Sequence, residues 1–256
     1  MPVKLLLFLM ISPFSTWAQV KITSLGLKDS NDSKDDFLFP FVTYQNRSIA
    51  HKINSYLQKE ILDNDRVETV PKRLFASRYI ENDTVQQSGP SRIGYKIIVN
   101  NKKIVTFEFE NESTGAYSEY YSEYFNFNLE DGNLITSKSI FTSAGLQQIK
   151  KYLIRERSKK IKEWLAEVKE NYKNGSAFDD SNWIKETFLE CNQEASEENI
   201  LVKPNSILFY KEYCFPHVAR PFDTDLDIEL SYVAIRRYLT AFGSELLLNR
   251  SNPLKK

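Results

Sequence analysis

An α+β fold, with an antiparallel β-sheet and helices packed on one side of it, is predicted by three features of the sequence. Residues 94 to 129 alternate apolar and polar side chains in runs separated by turn-forming pairs, the period-two signature of antiparallel strands. Residues 48 to 62 and 143 to 174 instead repeat apolar side chains every three to four positions, the period of amphipathic helices. Short apolar runs at 200–202, 206–210 and 226–230 then bring strands back after the helices. The composition is that of a folded protein: 256 residues, 41% hydrophobic, with 34 Lys and Arg against 34 Asp and Glu. This balance excludes a basic nucleic-acid binder, a disordered acidic tail and a collagen-like chain. Two Cys and two His leave too few ligands for the usual zinc sites unless nearly all of them converge, so neither a metal nor a cofactor is expected.

From the N-terminus, MPVKLLLFLMISPFSTWAQV carries one positive charge at Lys4, an apolar run from Val3 to Ile11, and Thr16 and Ala18 at the −3 and −1 positions of a cleavage site. Residues 1–18 read as a signal peptide, giving a secreted or periplasmic bacterial protein. No later run approaches the ~18 apolar residues of a transmembrane helix, so none is expected. Residues 19–36 hold a short strand at 20–27 and a polar lead-in, KDSNDSKDD. An N-terminal α/β part, 37–113, contains a helix at 48–62 striped by Ile49, Ile53, Tyr56, Leu57 and Ile61; His51 lies off that stripe and reads as exposed. GYKIIVN and KKIVTFEFE follow, joined by Asn100-Asn101, a pair that tolerates the positive φ of a tight hairpin.

A C-terminal part, 114–250, opens on the long strand AYSEYYSEYFNFNLE, and Asp131-Gly132 turns it toward a strand at NLITS. Ser143 is a suitable N-cap and Gly175 a suitable stop for a helix lined by Leu146, Ile149, Leu153, Ile161, Leu165, Val168 and Tyr172. Nine Lys and Arg against four Glu between Lys150 and Lys173 make it basic, either as a solvated face or as a patch for an anionic surface. A second helix at 182–191 comes next, then the three short strands, and a final helix runs from 232 to about 241.

Chemistry is harder to find. G-x-S-x-G, the P-loop, the dinucleotide-binding glycines and H-E-x-x-H are all missing. FDTDLD places Asp223, Asp225 and Asp227 like the start of a calcium loop, but Ile228 and Ala234 stand where the glycine and the bidentate Glu belong, so the run reads as strand entry. Glu119 and Glu123, four apart in a strand, are separated by roughly 13 Å, too far for a glycosidase pair. Tyr117, Tyr120, Tyr121 and Tyr124 form either sheet packing or a stacking surface for a ligand. Cys191 and Cys214 either pair as a disulfide, which an oxidising compartment favours, or Cys214 is a thiol nucleophile with His217 as base and Asp223 as acidic partner.

GAYSEYYSEYFNFNLEDGNLITSKSIF resembles the segment of RsiV-type extracytoplasmic domains in which a Gly-Ala turn precedes a Tyr-rich strand, an N-F-x-L-x-x-G hairpin and a helix opened by Phe. VKPNSILFYKEYCFPHVARPFDTDLDIELSYVAI is similar to that family's closing stretch, and FPFVTYQNRSIAHKINSYL to the helical segment before it. The resemblance implies an RsiV-like ectodomain, found in lysozyme-sensing anti-sigma factors and ahead of the catalytic domain of some peptidoglycan deacetylases. This chain departs from it in an insertion near 173–193 and in the Cys and His of KEYCFPHVAR. The function expected is a non-catalytic binding domain of the cell envelope, with a protein such as lysozyme or a cell-wall glycan as partner, no nucleic acid, and no oligomeric state specified. Its surface is expected at Tyr117, Tyr120, Tyr121 and Tyr124 with Tyr213, Phe215, His217 and Arg220. The alternative is an envelope hydrolase using Cys214 and His217.

Overall fold

The structure, a computed structural model, describes residues 20–28, 35–75, 90–114, 118–171, 181–193 and 199–248. The expected signal peptide lies outside the described residues. Five strands form one sheet in sequence order: β1 (Lys21–Lys28), β2 (Asp35–Thr43), β3 (Pro90–Asn100), β4 (Ile104–Thr114) and β5 (Ser118–Asn128). Neighbours are antiparallel except β2 and β3, which run parallel at Phe37 and Ile93. Alternation along the strands sends Phe37 and Phe39, Val105, Phe107 and Phe109, and Phe125 and Phe127 to one face, where α1 (Arg47–Leu62) covers them with Ile53, Leu57 and Ile61. Burying each ring contributes roughly 2–3 kcal/mol. Asn46 caps α1 by accepting from the Ser48 and Ile49 N–H groups, and Asp63 ends it in the left-handed region at φ 54°. The buried Asn54 amide bonds both the N–H and the C=O of Val42 at 2.8 Å, fixing α1 on β2.

Two sequence expectations change here. FLFPFVT, read without an element, is β2. NLITS, read as a strand, makes only one bridge, Leu134 to Phe127, because Thr136 and Ser139 form a capping box that starts a short helix immediately afterwards.

 That helix, α2, spans Ser137–Ile140; before it in the chain, a single helical turn at Pro71–Leu74 seats Leu74 and Phe75 in the first core. The Asp131-Gly132 turn itself forms as expected, with Gly132 at φ +73°.

The rest of the chain builds a second core. α3 (Ser143–Asn171) and α4 (Ser181–Gln193) precede an antiparallel sheet of β6 (Ile200–Val202), β7 (Ser206–Phe209) and β8 (Ile228–Ser231), followed by α5 (Tyr232–Ile235) and α6 (Ala241–Leu248). Ile140, Ile149 and Leu153 pack with Val202, Ile207, Phe209, Ile235 and Leu246. The expected single helix from 232 is broken: residues 236–238 tighten into a 3-10 turn, Leu239 bridges to Phe141, and the Thr240 hydroxyl caps α6 by accepting from the Gly243 N–H. Gly243 is required there, since a Cβ would lie 2.2 Å from the Ile140 carbonyl oxygen. β8 begins at Ile228 instead of 226, because the Leu226 carbonyl accepts from the Arg157 Nε–H. A smaller cluster of Ile161, Ile184, Phe188, Phe215, Ala219 and Leu226 lies where α3, α4 and the 210–227 segment meet.

Asn126 joins the two cores. Its neighbours Phe125 and Phe127 face the first core, so its own amide points to the opposite face, where it donates to the Ile200 carbonyl and accepts from the Val202 N–H, both at 2.8 Å. β6 therefore lies against the face of the large sheet that α1 does not cover. The fold class is α+β, as the sequence predicts, with one parallel strand pair inside the larger sheet. The division read at 113/114 lies within β4, one residue before its end at Thr114.

Candidate functional site

The Tyr-rich end of β5 forms one wall of a cleft of about 780 Å³, and the segment from Tyr210 to Asp227 forms the other. Alternation on β5 divides its tyrosines: Tyr121 shares a face with Glu123, and Tyr120 and Tyr124 point the other way. Tyr124 meets Tyr210 edge to face at 4.7 Å between ring centroids. Tyr120 is 63% exposed and donates its hydroxyl to Glu112 at 2.8 Å. Across the cleft, the Tyr213 hydroxyl donates to the Tyr120 carbonyl at 3.4 Å, and the Arg220 guanidinium lies over the Tyr213 ring at 3.9 Å while pairing with Glu119. A second hollow of about 470 Å³, lined in part by Arg92, Glu110, Glu112 and Tyr120, shares Tyr121, Ser122 and Tyr213 with the cleft.

Carboxylates outnumber cations here. Glu119, Glu123, Glu212, Asp223, Asp225 and Asp227 line the cleft, against Lys211 and Arg220. Burial pushes the Glu123 carboxyl above its usual range, with the Glu60 and Glu212 charges adding to the effect and a hydrogen bond from Asn111 at 2.7 Å opposing it. Burial likewise raises Asp227, which accepts the Lys211 N–H, and Asp223, which accepts the Phe215 and Thr224 N–H groups. Desolvation raises the Tyr210 phenol to about 12, helped by Glu212. The Asp residues of FDTDLD thus bond the main chain of their own loop. Among the described residues, no group of three or more His, Cys, Asp or Glu is arranged to hold a metal ion.

Of the residues expected at a binding surface, Tyr121, Tyr124, Tyr213, Phe215 and Arg220 border this cleft, and Tyr120 borders the adjoining hollow. Phe215 does so from the buried side, packed on Phe188 and Trp183. Tyr117 and the His217 side chain lie outside the described residues. The hydrolase alternative loses its nucleophile: Cys214 is joined to Cys191 in a disulfide, so its sulfur carries no thiolate. That bond ties the last turn of α4 to the cleft wall.

Sequence reasoning missed Tyr210 and Arg157. Tyr210 continues the alternation of SILFY one residue past β7, so the signal was a strand end rather than a motif. Arg157, counted among the basic residues of α3, is fully buried; its Nε–H and Nη2–H donate to the Leu226 and Phe209 carbonyls at 2.9 and 3.1 Å. Lys160 reaches the Asp225 and Asp227 carbonyls, and Arg155 and Lys159 pair with Glu156. Much of the basic charge of α3 is therefore engaged within the protein.

No protein-family model matches the chain, and no curated protein matches it in sequence. Among solved structures it is similar to a DUF3298-family protein of Bacteroides fragilis, with a TM-score of 0.56 and 13% identity over 87% of this chain and 94% of that one. A DUF3298-family protein of Pseudomonas aeruginosa also matches, with a TM-score of 0.48 and 8% identity over the same shares. The first similarity shows a shared fold of a domain whose function is unknown.

Proposed function

We propose that the protein is an exported, non-catalytic binding domain of the bacterial cell envelope, and that the cleft between β5 and the 210–227 segment is its binding site. The observation that carries this reading is the convergence of Tyr121 and Tyr124 from one strand with Tyr213 and Arg220 from a distant segment on one hollow of about 780 Å³, with Tyr120 on the adjoining hollow of about 470 Å³. Its size lies within the range of ligand pockets, and exposed Tyr and Arg supply large contact area with polar tips. The resemblance to RsiV-type domains supports a cell-wall glycan or a protein such as lysozyme as the ligand. The disulfide agrees with an oxidising compartment.

The test is co-sedimentation of the purified protein with peptidoglycan and titration against lysozyme and lipopolysaccharide, with Tyr213→Ala and Tyr120→Ala as probes. Both side chains are more than half exposed, so each substitution should leave the melting temperature within a few degrees while weakening binding about tenfold or more. Absence of binding to all three classes of ligand would remove the reading.

A further inference from the structure

Resting on the cleft reading above, we infer that the cleft takes an extended, cationic polypeptide segment, which adds to the open edge of β5 as another strand of the larger sheet. β5 is the last strand in that sheet. Which of its residues face outward follows from its far end, where the Ile135 N–H donates to the Asn126 carbonyl at 2.7 Å and the Asn128 N–H donates to the Asn133 carbonyl at 2.9 Å. In an antiparallel strand alternate residues bond to alternate sides, and the β4–β5 register runs without a shift. Tyr120, Ser122 and Tyr124 therefore turn their main-chain groups away from β4. Tyr213 takes the Tyr120 carbonyl; among the described residues no hydrogen bond reaches the outward N–H or C=O of Ser122 and Tyr124. Both residues line the cleft.

Edges are commonly blunted by Lys, Pro or a bulge. Residues 118–124 carry none of these. An added strand would satisfy the open main-chain groups, and the surrounding charge selects its chemistry: six carboxylates against two cations, with Glu212 exposed to solvent. Arg220, stacked on Tyr213 and paired with Glu119, already shows how this wall holds a guanidinium.

The probe is a fluorescein-labelled, end-capped octapeptide of alternating Arg and Val, titrated against the full chain. Ser122→Pro removes an outward N–H while leaving the β4–β5 bonds in place, and Ser122→Ala retains it. The expected result is wild-type binding by Ser122→Ala, binding at least about tenfold weaker for Ser122→Pro and for a Glu-Val peptide, and slower deuterium exchange at the Ser122 and Tyr124 amides in the complex. Should Ser122→Pro lower the melting temperature, a peptide N-methylated at alternate residues makes the same test from the ligand side, again with about a tenfold loss expected. Failure of the Arg-Val peptide to bind, equal affinity for the Glu-Val peptide, or indifference to both Ser122→Pro and N-methylation would overturn the inference. If lysozyme or peptidoglycan binding depends on Tyr213 but not on Ser122→Pro, strand addition falls and the cleft reading stands. If neither substitution changes that binding, both fall.

Discussion

At the scale of single residues, burial of polar groups shapes the second core and the cleft. Arg157 sits between Leu153 and Ile161 on the stripe that the helix period places inward, so its position was legible as a break in an apolar pattern even though its charge suggested solvent. Its guanidinium holds two main-chain carbonyls, and the loss of hydration lowers its pKa while the Asp227 charge opposes that shift. Glu123 presents the converse case, a carboxylate raised by burial beside other acids. A folded-state pKa above the unfolded one means that the native protein binds the extra proton, so this group's contribution to stability falls as pH rises through that window. Glu123→Gln, which mimics the protonated form, should raise the melting temperature at pH 7.5 and lose that advantage as the pH drops below the Glu123 pKa. Thermal melts of both proteins across pH 4 to 8 check this; a gain that persists unchanged at pH 4 would assign the effect to packing.

At the scale of elements, the disulfide anchors the cleft wall. Cys191 and Cys214 are 23 residues apart, and closing a loop of that length stabilises by about 3 kcal/mol in the chain-entropy account. The bond lies beside Phe188 and Phe215, which meet edge to face at 4.8 Å between ring centroids, with Trp183 on Phe215 and Trp164 on Phe188. Replacing both cysteines with serine should lower the melting temperature by about 10 °C and change tryptophan fluorescence. A shift within 2 °C would show that the aromatic cluster holds the segment unaided. Elements with a clean period, α1, β4 and β5, were legible in the sequence to within a few residues. β2 was not, because Pro40 interrupts an otherwise alternating Phe37, Phe39 and Phe41; the proline is accommodated because β2 meets β3 only at Phe37 and Ile93. The break near residue 239 was hidden as well, since the 3-10 turn and the cap at Thr240 depend on contacts with Phe141 and Ile140 about a hundred residues away.

At the scale of the whole molecule, the cleft belongs to both cores. One wall is the edge of the first sheet and the other follows β7, and Asn126 sets their register by lending its amide to β6 as a strand would. Tyr120, Tyr121 and Tyr124 could be named from sequence as a cluster, and Tyr213 and Arg220 as neighbours in a loop. The two groups were expected on one surface, but the contacts that join them, Tyr213 to the Tyr120 carbonyl and Arg220 to Glu119, were not legible, because they depend on tertiary placement of segments some ninety residues apart. The parallel joint between β2 and β3 carries a separate consequence, for the order of assembly. β1–β2 and β3–β4–β5 pair strands adjacent in the chain, whereas the Phe37–Ile93 seam must close the long connection through α1. Loop-closure entropy delays such non-local pairing. In pulse-labelled refolding, amides of β4 and β5 should gain protection before those at the β2–β3 seam, so that the two hairpin units exist briefly as separate pieces and the sheet becomes continuous last.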